Sequence, residues 1–221
     1  MDFPYGETEI AYLRAGDPKL GAAMDRIGPI HREVDPDLFS SVIHHIIGQQ
    51  VSMAAQRTVW QRLQAAAGTL APETVAAMPA EALQALGMTR RRASYILEFA
   101  RKVASGDFDL AALAEMEDSE VLARLTSLRG VGPWTAEMLL IFGLRRPDVV
   151  SWGALAILRG MRMLYRKRSI DQRTFQRLRK RYSPYGTTAS LYLWAIACGA
   201  LPELTDPGAW QKPDGKRGRR T

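Results

Sequence analysis

The stretch Leu128-Arg-Gly-Val-Gly-Pro-Trp-Thr-Ala136 restricts what this chain can fold into more than any other. Ahead of it, residues 118–127 carry Val121, Leu122 and Leu125 at helical spacing. Behind it, residues 135–144 carry Ala136, Leu139, Leu140 and Phe142 on a helix-compatible period. Gly130 and Gly132 let the backbone turn where a Cβ would clash. Pro133 suits the first turn of the following helix, where its missing N–H costs nothing. The spacing therefore predicts two helices joined by a tight turn. The free N–H groups around Gly130, Gly132 and the helix start, with Thr135 beside them, then point outward as an anion site. A phosphate diester fits that geometry and needs no particular base.

The rest of the chain narrows the partner. At 221 residues, 47% of them hydrophobic, it can bury a core as one large domain or two small lobes. No apolar run approaches the roughly 20 residues of a membrane span, and the acidic opening Met-Asp-Phe-Pro-Tyr-Gly-Glu does not read as a signal peptide. The single cysteine, Cys198, excludes an intrachain disulfide framework and a four-cysteine iron–sulfur cluster, so a reducing cytoplasm is the default. The net charge of +7 favours a polyanionic partner. Within residues 212–221, five basic side chains stand against Asp214 alone, which accounts for +4 of the +7. This end reads as a disordered tail, either touching phosphates or merely solubilising.

Taken in order, the chain reads as all-α. A lead-in, residues 1–35, holds one short helix near 18–27. Asp35-Pro36 reads as a helix start, with Phe39, Val42, Ile43, Ile46 and Ile47 on one face. Ser52 caps a second helix reaching Gly68. Short helices follow near 72–78 and 79–86, then a longer one after Gly87-Met-Thr through Ser105. Residues 107–116 form a link into the hairpin. Beyond the hairpin, helices are expected near 152–165, 171–181 and 187–199.

The string Leu-x-Gly-Val-Gly-Pro-Trp-Thr-Ala resembles the helix-hairpin-helix of the HhH-GPD superfamily of DNA base-excision glycosylases, and its Gly-Pro-Trp-Thr-Ala ending looks most like the 3-methyladenine branch. The resemblance extends over roughly residues 39–199. It implies a two-lobed helical fold. One lobe, residues 36–143, ends in the hairpin at 118–144. The other combines the lead-in with residues 144–211, and double-stranded DNA lies across the cleft between them. It also implies a monomer acting on alkylated purines in base-excision repair by swinging the nucleotide out of the duplex.

The resemblance assigns roles residue by residue. Gly48-Gln49-Gln50-Val51-Ser52 is similar to a family segment that enters the minor groove, with Gln50 filling the gap left by the extruded nucleotide. Read without it, the segment is a polar turn with a Ser cap. In strand-nicking relatives the position of Trp134 is a Lys that forms a Schiff base. An indole cannot do so, which implies a monofunctional enzyme that leaves the abasic strand intact. Trp134 can instead stack on a cationic methylated purine. Met138, Trp152, Tyr185 and Trp194 complete the implied base pocket. The backbone carbonyls of Thr126, Leu128 and Val131 match family positions that bind a monovalent Na+ or K+; no cofactor is otherwise required. His31, His44 and His45 lack metal-ligand spacing and read as surface or core residues. The run Arg90-Arg91-Arg92 is either a DNA-facing helix start or a solvated charge run.

One position departs from the pattern. After Arg146-Pro-Asp-Val149, the family's catalytic aspartate falls on Ala154. Alanine neither stabilises an oxocarbenium-like sugar nor orients water. Two accounts fit: a variant inactivated on purpose, or a natural loss of the acid. The retained pocket aromatics and wedge favour the first. A non-catalytic module that binds damaged DNA is the alternative function. Asp148 reads as a capping or arginine-pairing residue, and Glu137 as a surface one.

Overall fold

The computed structural model describes residues 1–208, and the basic tail at 212–221 lies outside them. Among the described residues twelve α-helices follow one another. They are α1 (Glu7–Gly16), α2 (Pro18–Ile27), α3 (Leu38–Gly48), α4 (Met53–Ala67), α5 (Pro72–Ala76), α6 (Ala80–Ala85), α7 (Arg90–Ala104), α8 (Asp118–Thr126), α9 (Pro133–Phe142), α10 (Leu155–Tyr165), α11 (Gln172–Tyr182) and α12 (Gly186–Ala197). A 3-10 turn, Ala111–Ala114, precedes α8. Among the described residues the only extended pairing is an isolated antiparallel bridge between Asp2 and Glu33.

Local chemistry sets most of the boundaries. Ser52 accepts the Ala55 N–H at 3.2 Å and opens α4, and Thr89 accepts the Arg92 N–H at 3.3 Å and opens α7. Three expectations shift. The lead-in contains a second helix, α1, which has acidic Glu7 and Glu9 in its first turn. α3 begins two residues later than the Asp35-Pro36 signal, because Asp35 Oδ1 is used by the Asp37 N–H (3.1 Å) and Asp37 becomes the cap for Phe39 (3.1 Å). α10 begins at Leu155 rather than at Trp152, with Ala154 as an N-cap that makes no side-chain cap bond.

The buried apolar residues fall into two large clusters. One runs from Phe39 to Val149, where α3 packs on α4, α7 and α9, and α5 and α6 pack on α7. The other joins α1 and α2 to α10, α11 and α12. Tight crossing of α10 on α12 depends on Gly160, whose Cβ would lie 2.2 Å from the Leu193 carbonyl oxygen. Buried Asp17 ties the lead-in to this second group. It caps α2 through the Leu20 N–H (3.1 Å), accepts the Tyr165 hydroxyl (2.9 Å) and pairs with Arg181 (3.1 Å). Trp194 packs against both clusters and against a third, smaller one formed by Phe3, Val34 and Leu191. The seam between the clusters therefore passes through this indole.

Candidate nucleic-acid interface and base cleft

The hairpin between α8 and α9 presents its backbone outward. Gly130 has φ +87°, and a Cβ there would sit 2.2 Å from Cδ2 of Tyr95 on α7. Only glycine satisfies both conditions. Val131 N–H closes the turn on the Leu128 carbonyl at 3.1 Å. Among the described residues, the N–H groups of Gly130, Gly132, Trp134 and Thr135 meet no acceptor, while the Ala136 N–H returns to the Gly132 carbonyl at 3.0 Å. These donors gather at the N-terminus of α9, where its dipole favours an anion. The Thr126 and Val131 carbonyls accept no backbone N–H there either, and the Leu128 carbonyl keeps a second lone pair.

The Gln49 side chain locks the α3–α4 junction to the hairpin. Its Nε2 donates to the Gly130 carbonyl at 2.7 Å and to Thr135 Oγ1 at 3.3 Å. Its backbone carbonyl accepts from the Arg92 guanidinium. Gln49 thus acts as a brace rather than as a free reader of base edges. Gln50, next to it, is exposed and has φ +54°, a left-handed conformation that non-glycine residues seldom adopt. An open groove runs over these residues, with Thr89, Arg91, Arg92 and Tyr95 along one wall and Gly130 to Thr135 along the other. The three arginines separate as helical geometry requires. Arg91 bonds the Tyr95 hydroxyl (2.5 Å), Arg92 braces Gln49, and Arg90 is exposed. Among the described residues, Trp134 is exposed and lines this groove.

A cleft of about 470 Å³ opens beside the groove. Trp134 and Met138, one turn apart on α9, line it together with Trp194 of α12. Two other expected pocket residues lie outside. Trp152 packs edge-on against Phe175 of α11 (centroids 5.0 Å apart), and Tyr185 packs edge-on against Tyr12 of α1 (5.2 Å). Their aromatic character is explained by packing between helices. Ala154 is not in the lining either. It is 4% exposed, at the start of α10. The preceding residue, Gly153, comes close to the cleft, since a Cβ there would be 3.8 Å from Trp134 Cβ.

The remaining lining is a finding of the fold. Phe142 continues the Trp134–Met138 stripe at i, i+4, i+8 and stacks on Trp194 (5.9 Å), with the Arg32 guanidinium 5.1 Å from its ring centre. The helical period groups Phe142 with Ala136, Leu139 and Leu140 and does not by itself point it to the cleft. No local signal marks Arg32, Glu33 and Asp35, which reach the cleft because the lead-in crosses it. Ser41, His44 and His45 also line it. His44 packs edge-on against Trp60 (4.9 Å), and burial lowers both imidazole pKa values.

The two carboxylates nearest in sequence to position 154 have other work. Asp148 accepts the Ser183 hydroxyl at 2.6 Å and the Gly186 N–H at 3.0 Å at the start of α12. It is a cap, and Arg146 pairs instead with Asp118 at 3.3 Å. Glu137 is half-buried rather than a free surface residue. It accepts the Ser151 hydroxyl, and burial raises its pKa against that bond. Among the described residues no three His, Cys, Asp or Glu side chains group as metal ligands, and no helix is long and apolar enough to cross a membrane.

Comparison with known proteins bears on the same elements. Residues 43–184 match the family model described as HhH-GPD superfamily base excision DNA repair protein. The chain is 30% identical over 174 residues to DNA-3-methyladenine glycosylase 1 of Schizosaccharomyces pombe, covering 76% of this chain and 75% of that protein. YfjP of Bacillus subtilis, which carries a provisional DNA-3-methyladenine glycosylase name, is 28% identical over 173 residues. That match covers 73% of this chain and only 59% of YfjP. A solved DNA-3-methyladenine glycosidase from Bacillus halodurans superposes with TM-score 0.80 at 30% identity, covering 92% of this chain and 94% of that one. The Schizosaccharomyces pombe enzyme Mag1 in complex with abasic DNA superposes at 0.77 with 25% identity, covering 86% of this chain and 97% of that one. A hairpin with free amides, the glutamine brace beneath it and the match over more than half the chain lead to one statement: the chain belongs to the HhH-GPD superfamily of base excision DNA repair proteins.

Proposed function

We propose that this protein grips duplex DNA through the hairpin and everts an alkylated purine into the cleft beside it, as a monofunctional 3-methyladenine-type glycosylase lacking its carboxylate. The observation that carries this is the adjacency of exposed hairpin amides, exposed Gln50 and the Trp134–Met138–Trp194 cleft. A phosphate held at the α9 N-terminus positions the strand without reading sequence. Gln50, held in its strained turn, enters the stack as the nucleotide leaves. The free carbonyls at 126 and 131, with that of Leu128, would hold a monovalent cation whose charge strengthens the phosphate contact. Trp134 and Trp194 supply electron-rich faces for a positively charged base. Such a base is already a good leaving group, so the chemistry left to the protein is anionic stabilisation of the sugar cation and a positioned water. The protein is expected to act as a monomer, in the cytoplasm and at the nucleoid if bacterial.

Ala154→Asp tests this reading. The substitution is expected to raise release of 3-methyladenine from methylated duplex by at least about 100-fold, as restoring a transition-state charge does, without strand cleavage. Release no faster than by the unaltered chain, from duplex that is bound, would leave the second reading in place. That reading is a non-catalytic binder of damaged DNA, and Ala154 itself favours it.

A further inference from the structure

The cleft has a polar end that the mechanism above does not use. Ser41 and His45, one turn apart on α3, both line it. His45 Nδ1 lies 2.8 Å from the Ser41 backbone carbonyl. A carbonyl only accepts, so Nδ1 carries the proton. The ring stacks on Phe142 (6.4 Å between centres), and burial keeps it neutral near pH 7. Nε2 is then a lone pair, and among the described residues it meets no donor. Ser41 Oγ is the one buried side-chain polar atom with no hydrogen-bond partner among the described residues. Buried polar groups are nearly always satisfied, and leaving one unpaired costs about 1–3 kcal/mol. An unpaired hydroxyl in the wall of a cleft is therefore suited to a ligand atom.

The neighbouring groups share this acceptor character. The Gln56 amide bonds the His44 carbonyl at 3.0 Å and lies 3.2 Å from His44 Nε2, which makes that nitrogen an acceptor as well. The Asp35 and Glu33 carboxylates border the same space, and the cation that borders it, Arg32, lies over the Phe142 ring. This end of the cleft suits a base edge that donates hydrogen bonds.

We propose that His45, with the Ser41 hydroxyl beside it as a second contact, is a specificity-determining residue that reads the exocyclic amine of an adenine-type base and disfavours a purine carrying a carbonyl at that position. An amine donates to His45 Nε2 and to the Ser41 hydroxyl. A carbonyl there would accept from the Ser41 hydroxyl but would oppose the Nε2 lone pair and leave that acceptor unpaired, the situation in which polar sites discriminate most strongly. The inference rests on the base-cleft reading given under the proposed function.

Calorimetric titration of the full chain with free 3-methyladenine and free 3-methylhypoxanthine tests it. The two share the methylated ring and differ in the amine or carbonyl and in an attendant proton on the imidazole ring. The expected result is at least tenfold tighter binding of 3-methyladenine, falling below threefold in His45→Phe, while Ser41→Ala weakens both bases and keeps the preference. Affinity for undamaged duplex should be unchanged. Ser41→Ala is expected to fold because the hydroxyl it removes bonds nothing. Equal affinity for the two bases, or a preference that His45→Phe does not move, overturns the edge assignment and leaves the cleft standing. Binding of duplex without binding of either base overturns the cleft reading, and this inference with it.

Discussion

Gly130 shows how one residue can answer to two constraints at once. Its φ of +87° strains any L side chain, and the Tyr95 ring fills the place of its Cβ. Gly130→Ala is expected to cost about 1–3 kcal/mol in urea unfolding and to weaken duplex binding at least tenfold, because the hairpin amides shift with the turn. The need for glycine was legible in the sequence, whereas the tyrosine against it was not. His44 and His45 belong to the second kind. Their spacing argued against metal ligation, and nothing local said that Trp60 of α4 and Phe142 of α9 would pack against them. Burial lowers their pKa below the ordinary imidazole value of about 6.5, so the folded state binds these protons less readily than the unfolded chain. Their linkage to stability is therefore fully favourable above pH ~6.5. It is lost as pH falls from there through the lowered folded values. Thermal melts at pH 7.5 and 5.5 should show a lower midpoint at pH 5.5. His45→Phe should narrow the gap between the two.

Among the elements, the start of α10 bears most on the proposed function. Ala154 occupies an N-cap with extended backbone (φ −84°, ψ 101°) and offers no oxygen to the first-turn N–H groups. An aspartate there would both cap α10 and hold its carboxylate ionised against the helix dipole. Ala154→Asp is therefore expected to leave the chemical-denaturation midpoint unchanged or raised by up to about 1 kcal/mol equivalent, even though the site is buried. The lead-in elements are held by Asp17, whose loss in Asp17→Ala removes a cap, a tyrosine bond and an ion pair together. Urea unfolding should show a cost of about 2–4 kcal/mol. The caps at Ser52 and Thr89 were readable because a hydroxyl acts within three residues of itself. The misplaced starts of α3 and α10 arose where two candidate caps, Asp35 and Asp37, stood close together, or where an apolar tryptophan had its true partner on another helix.

At the scale of the molecule, the free hairpin amides, the adjoining arginines and the net charge of +7 require that duplex affinity fall with salt. The log–log slope should be negative, at about 0.9 per phosphate neutralised. A helical scaffold for protein partners predicts no such dependence, so a slope of zero would sink the nucleic-acid reading altogether. The sequence by itself determined the helical class, most helix boundaries, the hairpin and the one-turn spacing of Trp134 and Met138, because each depends on residues within one or two turns of one another. Only the tertiary structure decided which aromatics meet. Trp194 joins Trp134 at the cleft, while Trp152 and Tyr185 turn to other helices. It also brought Asp35, Ser41 and the two histidines to the same walls. That choice depends on helices far apart in sequence packing to density, and no local pattern records their meeting.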